Sequence, residues 1–148
     1  CEAPNMLKAR PKGTAAIELA LLLPILLLLT LVTTEFGRAI LEYNTVVKSV
    51  RNATRYLATR TPNTKTPEAK NLVVFGNTTG TGPALAPGLS LALVANPVWQ
   101  MVGSNPTTNV VTLTVQAYPF NSLFASVFGV SFGSVIFGDI SASMRSAL

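Results

Sequence analysis

A chain of 148 residues that is 49% apolar and only 11% charged is too hydrophobic for intrinsic disorder and long enough for one domain beside a membrane anchor. Its net charge of +5 does not indicate nucleic-acid binding, because no charged residue occurs between Asn71 and Gly138. The absence of histidine and the single cysteine argue against the usual metal sites and against a histidine-assisted nucleophile. We therefore predict no enzyme, no cofactor and no metal.

The first predicted segment is a basic leader, residues 1–13, whose cations favour a cytoplasmic location for this end of the chain. Met6 is the residue at which we expect the natural product to start. Cys1 is then either a lipidation site or a residue that precedes the natural start, and it has no partner for a disulfide within these 148 residues. The basic residues of the leader are Lys8, Arg10 and Lys12.

Residues 14–34 predict a transmembrane helix. Their only charge is Glu18, and a helix of this length reaches roughly 31 Å, close to the thickness of the hydrocarbon core. A cleaved secretory signal is the alternative, but its apolar core would be shorter and would not run on into a further helix. Cations also follow the span. Because large C-terminal domains translocate largely regardless of charge, we still predict a cytoplasmic N-terminus and an extracytoplasmic domain.

Two residues within this span suggest a function beyond anchoring. A carboxylate in an apolar helix is costly unless it is paired, neutralised or near the interface, so Glu18 is either an assembly residue or a residue that reaches headgroups or Lys12. Pro24 lacks an amide hydrogen and cannot bond to the carbonyl of Ala20, which predicts a bend. The bend is either structural or has a role in repacking when the helix leaves the membrane.

An apolar stripe with alternating spacings of four and three predicts that an amphipathic helix continues over residues 35–60. Arg38 and Glu42 lie off this stripe, as do Arg51 and Arg55. We expect the three arginines on a solvated face; contact with anionic lipid or a partner is the alternative. The stripe consists of Phe36, Ile40, Tyr43, Val47, Val50, Thr54 and Leu57.

Residues 61–148 predict a β-rich domain, which with the long helix packed on a small antiparallel sheet gives an α+β fold. The clearest strand is 109–118, where apolar residues alternate with polar ones. Residues 121–128 are expected to form a short helix or an apolar loop, and the apolar segment 122–137 to form a core or subunit interface rather than a second span. The other predicted strands are 72–75, 90–94 and 98–102, followed by a hairpin of 131–137 with 139–144.

The motif Gly13-Thr-Ala-Ala-Ile-Glu18, followed by a leucine-rich run and then Glu35-Phe-Gly-Arg38, resembles the N-terminal region of TadE-like proteins. These are pseudopilins of the tight-adherence (Tad, or Flp) pilus machinery. The resemblance covers roughly residues 8–59, with a weaker similarity in two late strands. It implies that a prepilin peptidase cleaves after Gly13 and leaves Thr14 as the first residue. It also implies that Glu18 pairs with the new ammonium group of a neighbouring subunit, which fixes the register of the assembly.

The resemblance implies a structural or assembly subunit of a Tad pilus, held in the bacterial inner membrane by its helix, with the extracellular pilus as a second location. Its implied partners are other pilin or pseudopilin subunits, the prepilin peptidase, the inner-membrane assembly platform of the Tad system and membrane lipid, with no nucleic acid. Two alternatives remain open at this point. One is a membrane-anchored periplasmic adaptor that never polymerises, and the other is a major pilus subunit.

Overall fold

The computed structural model describes residues 13–124, 126–127, 130–131 and 133–146. It contains a long helix α1 (Thr14–Ala58), a short helix α2 (Thr66–Phe75) and a 3-10 turn, Leu91–Leu93. The strands are β1 (Val98–Val102), β2 (Thr108–Val115), β3 (Pro119–Phe120), β4 (Ser126–Val127), β5 (Val130–Ser131), β6 (Val135–Ile136) and β7 (Ile140–Arg145). These elements confirm the predicted α+β class. The chain divides into two compact units, and the second begins at Glu35.

The first unit contains the apolar N-terminal part of α1, in which leucine and isoleucine side chains are exposed. An 18-residue window of α1 has a mean hydropathy of 2.6 and is 0% buried. Among the described residues, α1 is the one helix long and apolar enough to cross a membrane. The threonines in this part of α1 are compatible with a membrane environment, because their hydroxyl groups are satisfied within the helix. Those of Thr30, Thr33 and Thr34 donate to carbonyls one turn earlier, at 2.8 Å each.

The core of the second unit lies where the later part of α1 meets α2 and the sheet. Residues of all three elements are fully or almost fully buried in one cluster, because each element directs its apolar face to the same interior. The members from the helices are Val46, Val50, Ala53, Val73 and Val74, and those that follow in the chain include Leu113, Val115 and Tyr118.

The main sheet has the order β1-β2-β7 and is antiparallel throughout. The alternation predicted for the central strand is confirmed, since Val111, Leu113 and Val115 are each 0% exposed while the residues between them are not buried. The strand ends at Val115 rather than at residue 118, because Ala117 adopts a left-handed conformation with φ 48°. That conformation is incompatible with a continuing strand.

Two predicted strands are wrong. Residues 72–75 form the end of α2, which has proline in its first turn and ends at Gly76 in a left-handed conformation with φ 74°. The short run of apolar residues supplied the buried face of a helix, a case that periodicity alone cannot distinguish from a strand. Within residues 90–94, Leu91–Leu93 form the 3-10 turn. The strand predicted at 98–102 is confirmed as β1.

The C-terminal hairpin prediction is also wrong. The last strand, β7, pairs with β2 in the main sheet, and β6 pairs with β3 in a separate two-stranded sheet. Residues 121–124 are not helical, and β4 pairs with β5. Phe128 lies outside the described residues. The strands on either side of Gly138 find long-range partners instead of each other.

Candidate functional site

The predicted processing and assembly residues lie at the beginning of α1. Gly13 directly precedes the helix, and its carbonyl accepts the amide hydrogen of Ile17 at 3.3 Å. Thr14 is the first helical residue, and Glu18 is exposed one turn further on. Because residues four apart share a helix face, Glu18 follows Thr14 along one side of the helix. The pairing predicted for Glu18 joins two subunits, so it stays a prediction.

Pro24 lies inside α1, and the helix continues through it without interruption. Neighbouring turns can carry the helix past a missing amide hydrogen, which explains why a proline is compatible with an unbroken assignment. The bend predicted at this position, and its role in assembly, stay predictions.

A second group of polar residues is clustered where the second unit begins. Arg38 donates to Glu42 Oε1 at 2.8 Å and to Glu35 Oε2 at 3.1 Å, so one guanidinium joins two carboxylates on successive turns of α1. The side chains of Glu35 and Glu42 are only 8% and 10% exposed, against 25% for Arg38. We refer to Glu35, Arg38 and Glu42 as the charged cluster. Its geometry uses the planar fork of arginine, which a lysine cannot reproduce.

The charged cluster also binds the loop that follows β3. Arg38 donates to the carbonyl of Asn121, and the amide hydrogen of Leu123 donates to Glu35 Oε2 at 3.2 Å. The guanidinium carbon of Arg38 lies 4.6 Å from the ring centroid of Phe120, in cation–π geometry. The cluster therefore fastens residues 120–123 to the first turns of α1 in this unit.

Glu42 connects the charged cluster to the core through a buried tyrosine. The hydroxyl of Tyr118 lies 3.1 Å from Glu42 Oε2 and 2.8 Å from the carbonyl of Pro87, and its single proton is shared between these acceptors. The ring of Tyr118 is stacked on Phe137 with centroids 5.9 Å apart. Burial raises the pKa of the Tyr118 phenol, and the neighbouring Glu42 raises it further, so the hydroxyl stays protonated.

The electrostatics of Glu35 result from opposing effects. Burial raises the pKa of this carboxyl group, while hydrogen bonds from Arg38, Ser122 and the Leu123 amide lower it, and the pKa ends below its ordinary value of 4.5. Glu35 therefore remains ionised at neutral pH. Within the described residues, its Oε1 atom and the Nε atom of Arg38 are buried without a hydrogen-bond partner.

The predicted solvated face of α1 is wrong for Arg38, which is partly buried against two carboxylates, although Arg51 and Arg55 are exposed as expected. The predicted stripe is correct at Val50, Thr54 and Leu57. It is wrong nearer the start, where Phe36 is 69% exposed. The buried face is offset by one residue, and the signal that could have revealed it is the spacing of Glu35, Arg38 and Glu42, which matches a single helix face.

The described residues also contain two shallow clefts. One has a volume of about 380 Å³ and lies beside β1 and β7, with Arg145 as its charged residue. The other, of about 310 Å³, lies beside α2 and contains Lys70. Among the described residues, no group of three or more cysteine or carboxylate side chains is placed to hold a metal ion. Neither cleft contains a carboxylate, so neither has the acid and base pair that general acid–base catalysis commonly uses.

Together these features define a class of protein in which a long N-terminal helix, apolar and exposed in its first part, continues into a small α+β domain. The comparison with protein families narrows this class. The family model for TadE-like protein matches residues 13–55, which are less than a third of the chain and almost all of α1. No curated protein and no solved structure matches the chain. The family match confirms the resemblance and associates the chain with the Tad pilus system.

Proposed function

We propose that this chain is a minor pilin or pseudopilin of a Tad pilus, a structural or assembly subunit rather than an enzyme. The observation that carries the proposal is the coincidence of the TadE-like match at residues 13–55 with α1, a helix of 45 residues. The exposed apolar side chains in the first part of this helix support a membrane anchor that is also an assembly surface.

In this proposal residues 14–34 span the inner membrane, residues 1–13 lie in the cytoplasm, and the domain of residues 61–148 lies outside it. Residues 35–60 carry the helix from the membrane into the domain. The partners are other pilin or pseudopilin subunits, the prepilin peptidase, the assembly platform of the Tad system and membrane lipid.

Processing after Gly13 is supported by the position of this residue directly before α1. Cleavage there would place a new ammonium group at Thr14, the first helical residue, one turn before the exposed carboxylate of Glu18. The test is mass spectrometry of the protein produced together with a prepilin peptidase. We expect a product that begins at Thr14, and a product that retains residues 1–13 would contradict processing.

Assembly through Glu18 is tested by substitution. In a low-dielectric filament core the Glu18→Ala variant leaves an unpaired ammonium group, at a cost of about 3–5 kcal/mol per subunit. We expect normal membrane insertion and strongly reduced recovery of the variant in sheared pili. Glu68→Ala is the matched control, because Glu68 is a partly exposed acid whose ion pair, with Lys65 at 2.8 Å, belongs to α2. Unchanged recovery of Glu18→Ala would contradict the assembly role.

The same sheared pili distinguish the alternatives. A non-polymerising adaptor would be missing from filaments of any length, whereas a minor subunit would be present at low abundance beside a dedicated major pilin. A major subunit would account for the filament's mass per unit length.

A further inference from the structure

Several large apolar side chains near the charged cluster are exposed. Leu123, Ile136 and Val135 are 72%, 67% and 55% exposed, and Phe36 and Leu41 of α1 are each 69% exposed. We call these five residues the apolar rim. Val135 and Ile136 are consecutive residues of β6 and point to opposite faces of the strand, so the apolar rim is a set of separate exposed side chains and not one continuous patch.

Specific contacts fix the loop and strand residues of the apolar rim beside α1. The amide of Leu123 is bound by Glu35 at 3.2 Å. Val135 lies opposite Phe120 in the pairing of β3 with β6, and Phe120 lies under the guanidinium group of Arg38. The charged cluster thus holds these apolar residues at the level of the first turns that follow residue 34.

The covalent link between Glu35 and the apolar segment keeps the residues bound to Glu35 close to the end of the proposed span. Glu35 directly follows the apolar segment 14–34, and consecutive Cα atoms are about 3.8 Å apart. A group bound directly to Glu35 therefore stays within roughly 10 Å of the end of the span, whatever direction the span takes. The headgroup region on each side of a bilayer is about 5–8 Å thick. Leu123, whose amide is bound to Glu35, and Phe36, the residue after Glu35, consequently lie within or next to this region.

The surroundings of the rim favour lipid as its partner. No charged residue occurs between Asn71 and Gly138, so the segment that contributes Leu123, Val135 and Ile136 carries no group that resists the interface. The three members of the charged cluster are paired with one another, and its two carboxylates are buried, whereas Asp139, which follows Gly138, is exposed. Phe36 adds an exposed aromatic ring, a residue type suited to this depth.

We propose that the apolar rim is a second membrane contact, seated in the interface of the same bilayer that the helix spans. The inference rests on the membrane anchorage in the proposed function. It adds a lipid contact made by residues of the second unit to the anchor made by the first. Extraction into a filament then requires this surface to leave the lipid together with the helix.

The test measures depth in the membrane at single labelled positions of the full chain. In a Cys1→Ser background, Leu123→Cys, Met101→Cys and Leu27→Cys are labelled in turn with an environment-sensitive fluorophore. The labelled proteins are reconstituted in phosphatidylcholine vesicles that contain lipid with a nitroxide near the headgroup for positions 123 and 101, and lipid with a nitroxide on the acyl chain for position 27, which lies inside the proposed span. Met101 matches Leu123 in exposure, at 74% against 72%. It shares a cleft with Pro62, which follows the end of α1, roughly 35 Å along the helix from Glu35.

We expect quenching at position 123 to be several-fold stronger than at position 101, and Ile136→Asp to reduce it. Strong quenching at position 27 with equal, weak quenching at 123 and 101 would overturn the rim contact and leave the anchor intact. Absence of quenching at position 27 would overturn the anchor and the rim contact with it. Shielding of position 123 from iodide without lipid quenching, reversed by diluting the protein in lipid, would identify a second copy as the occupant and overturn the proposal.

Discussion

Replacement of Arg38 by methionine tests whether the charged cluster stabilises the domain. Methionine keeps an apolar stem but removes the guanidinium group that joins two carboxylates whose side chains are 8% and 10% exposed. A hydrogen bond to a charged group contributes about 1.5–3 kcal/mol, and a cation–π contact at an exposed site about 0.5–1 kcal/mol. Because Arg38 is itself 25% exposed, we take the lower value for each of the two carboxylate hydrogen bonds and for the cation–π contact, and we expect a loss of about 3.5 kcal/mol in the free energy of unfolding.

The assay is urea unfolding of the full chain in detergent micelles, followed by the fluorescence of the single tryptophan, Trp99, which packs against the core. Arg51→Met is the matched control, because Arg51 is exposed on the same helix, and it should change the free energy by less than about 0.5 kcal/mol. Arg38→Lys should give an intermediate loss, since one ammonium group cannot reproduce the arginine fork. Equal stability of Arg38→Met and Arg51→Met would refute the reasoning.

The pH dependence gives this prediction a second readout. In the wild-type protein the pKa of Glu35 is lowered. Its contribution to the free energy of unfolding is therefore complete above the ordinary pKa of 4.5 and is lost as the pH falls through the pKa of the folded state. In the Arg38→Met variant, burial still raises the pKa of Glu35, but the guanidinium group that lowers this pKa most is gone. Acidification below about pH 4.5 should therefore destabilise the wild type more than the variant, so the difference between their free energies of unfolding should become smaller. A difference that widens on acidification would exclude this mechanism.

Three further substitutions test the core and its connections by the same unfolding assay. Tyr118→Phe should lower the free energy of unfolding by about 1–2 kcal/mol, because it leaves Glu42 and the carbonyl of Pro87 without the shared hydroxyl. Leu113→Ala should cost about 2–5 kcal/mol by opening a cavity at a side chain that is 0% exposed, and a loss below 1 kcal/mol would contradict this packing. Gly76→Ala should cost about 1 kcal/mol, since φ is 74° there and the added Cβ would lie 3.2 Å from Leu85; an unchanged stability would show that the helix end tolerates a side chain.

The sequence predicted those elements whose local pattern agrees with their final environment. The central strand was recognised because Val111, Leu113 and Val115 alternate with polar residues and face one core. The long helix was recognised from its apolar segment and from the motif Gly13 to Glu18. The short helix α2 was missed because its apolar end, read alone, has the length and composition of a strand. The pairing of β7 with β2 is a long-range choice that no local signal contains.

The charged cluster was missed for a different reason. An amphipathic pattern assigns charged residues to solvent, and this rule fails when a tertiary partner neutralises them. Here a loop more than 80 residues away supplies a carbonyl to Arg38 and an amide to Glu35. The motif Glu35-Phe-Gly-Arg38 contributed to the family resemblance, but its structural role required the position of that loop.

The offset of the buried face has a physical consequence at the end of the proposed span. A helix that packs on a domain usually turns its charged residues outward and its apolar residues toward the core. In the turns after residue 34 this chain does the reverse, since Glu35 and Glu42 are buried while Phe36 and Leu41 are each 69% exposed. The outer surface of the helix therefore stays apolar for about two more turns, although the sequence becomes charged at residue 35. Burying the acids inside the domain keeps the outer surface of the helix apolar beyond residue 34 and at the same time fastens residues 120–123 beside it.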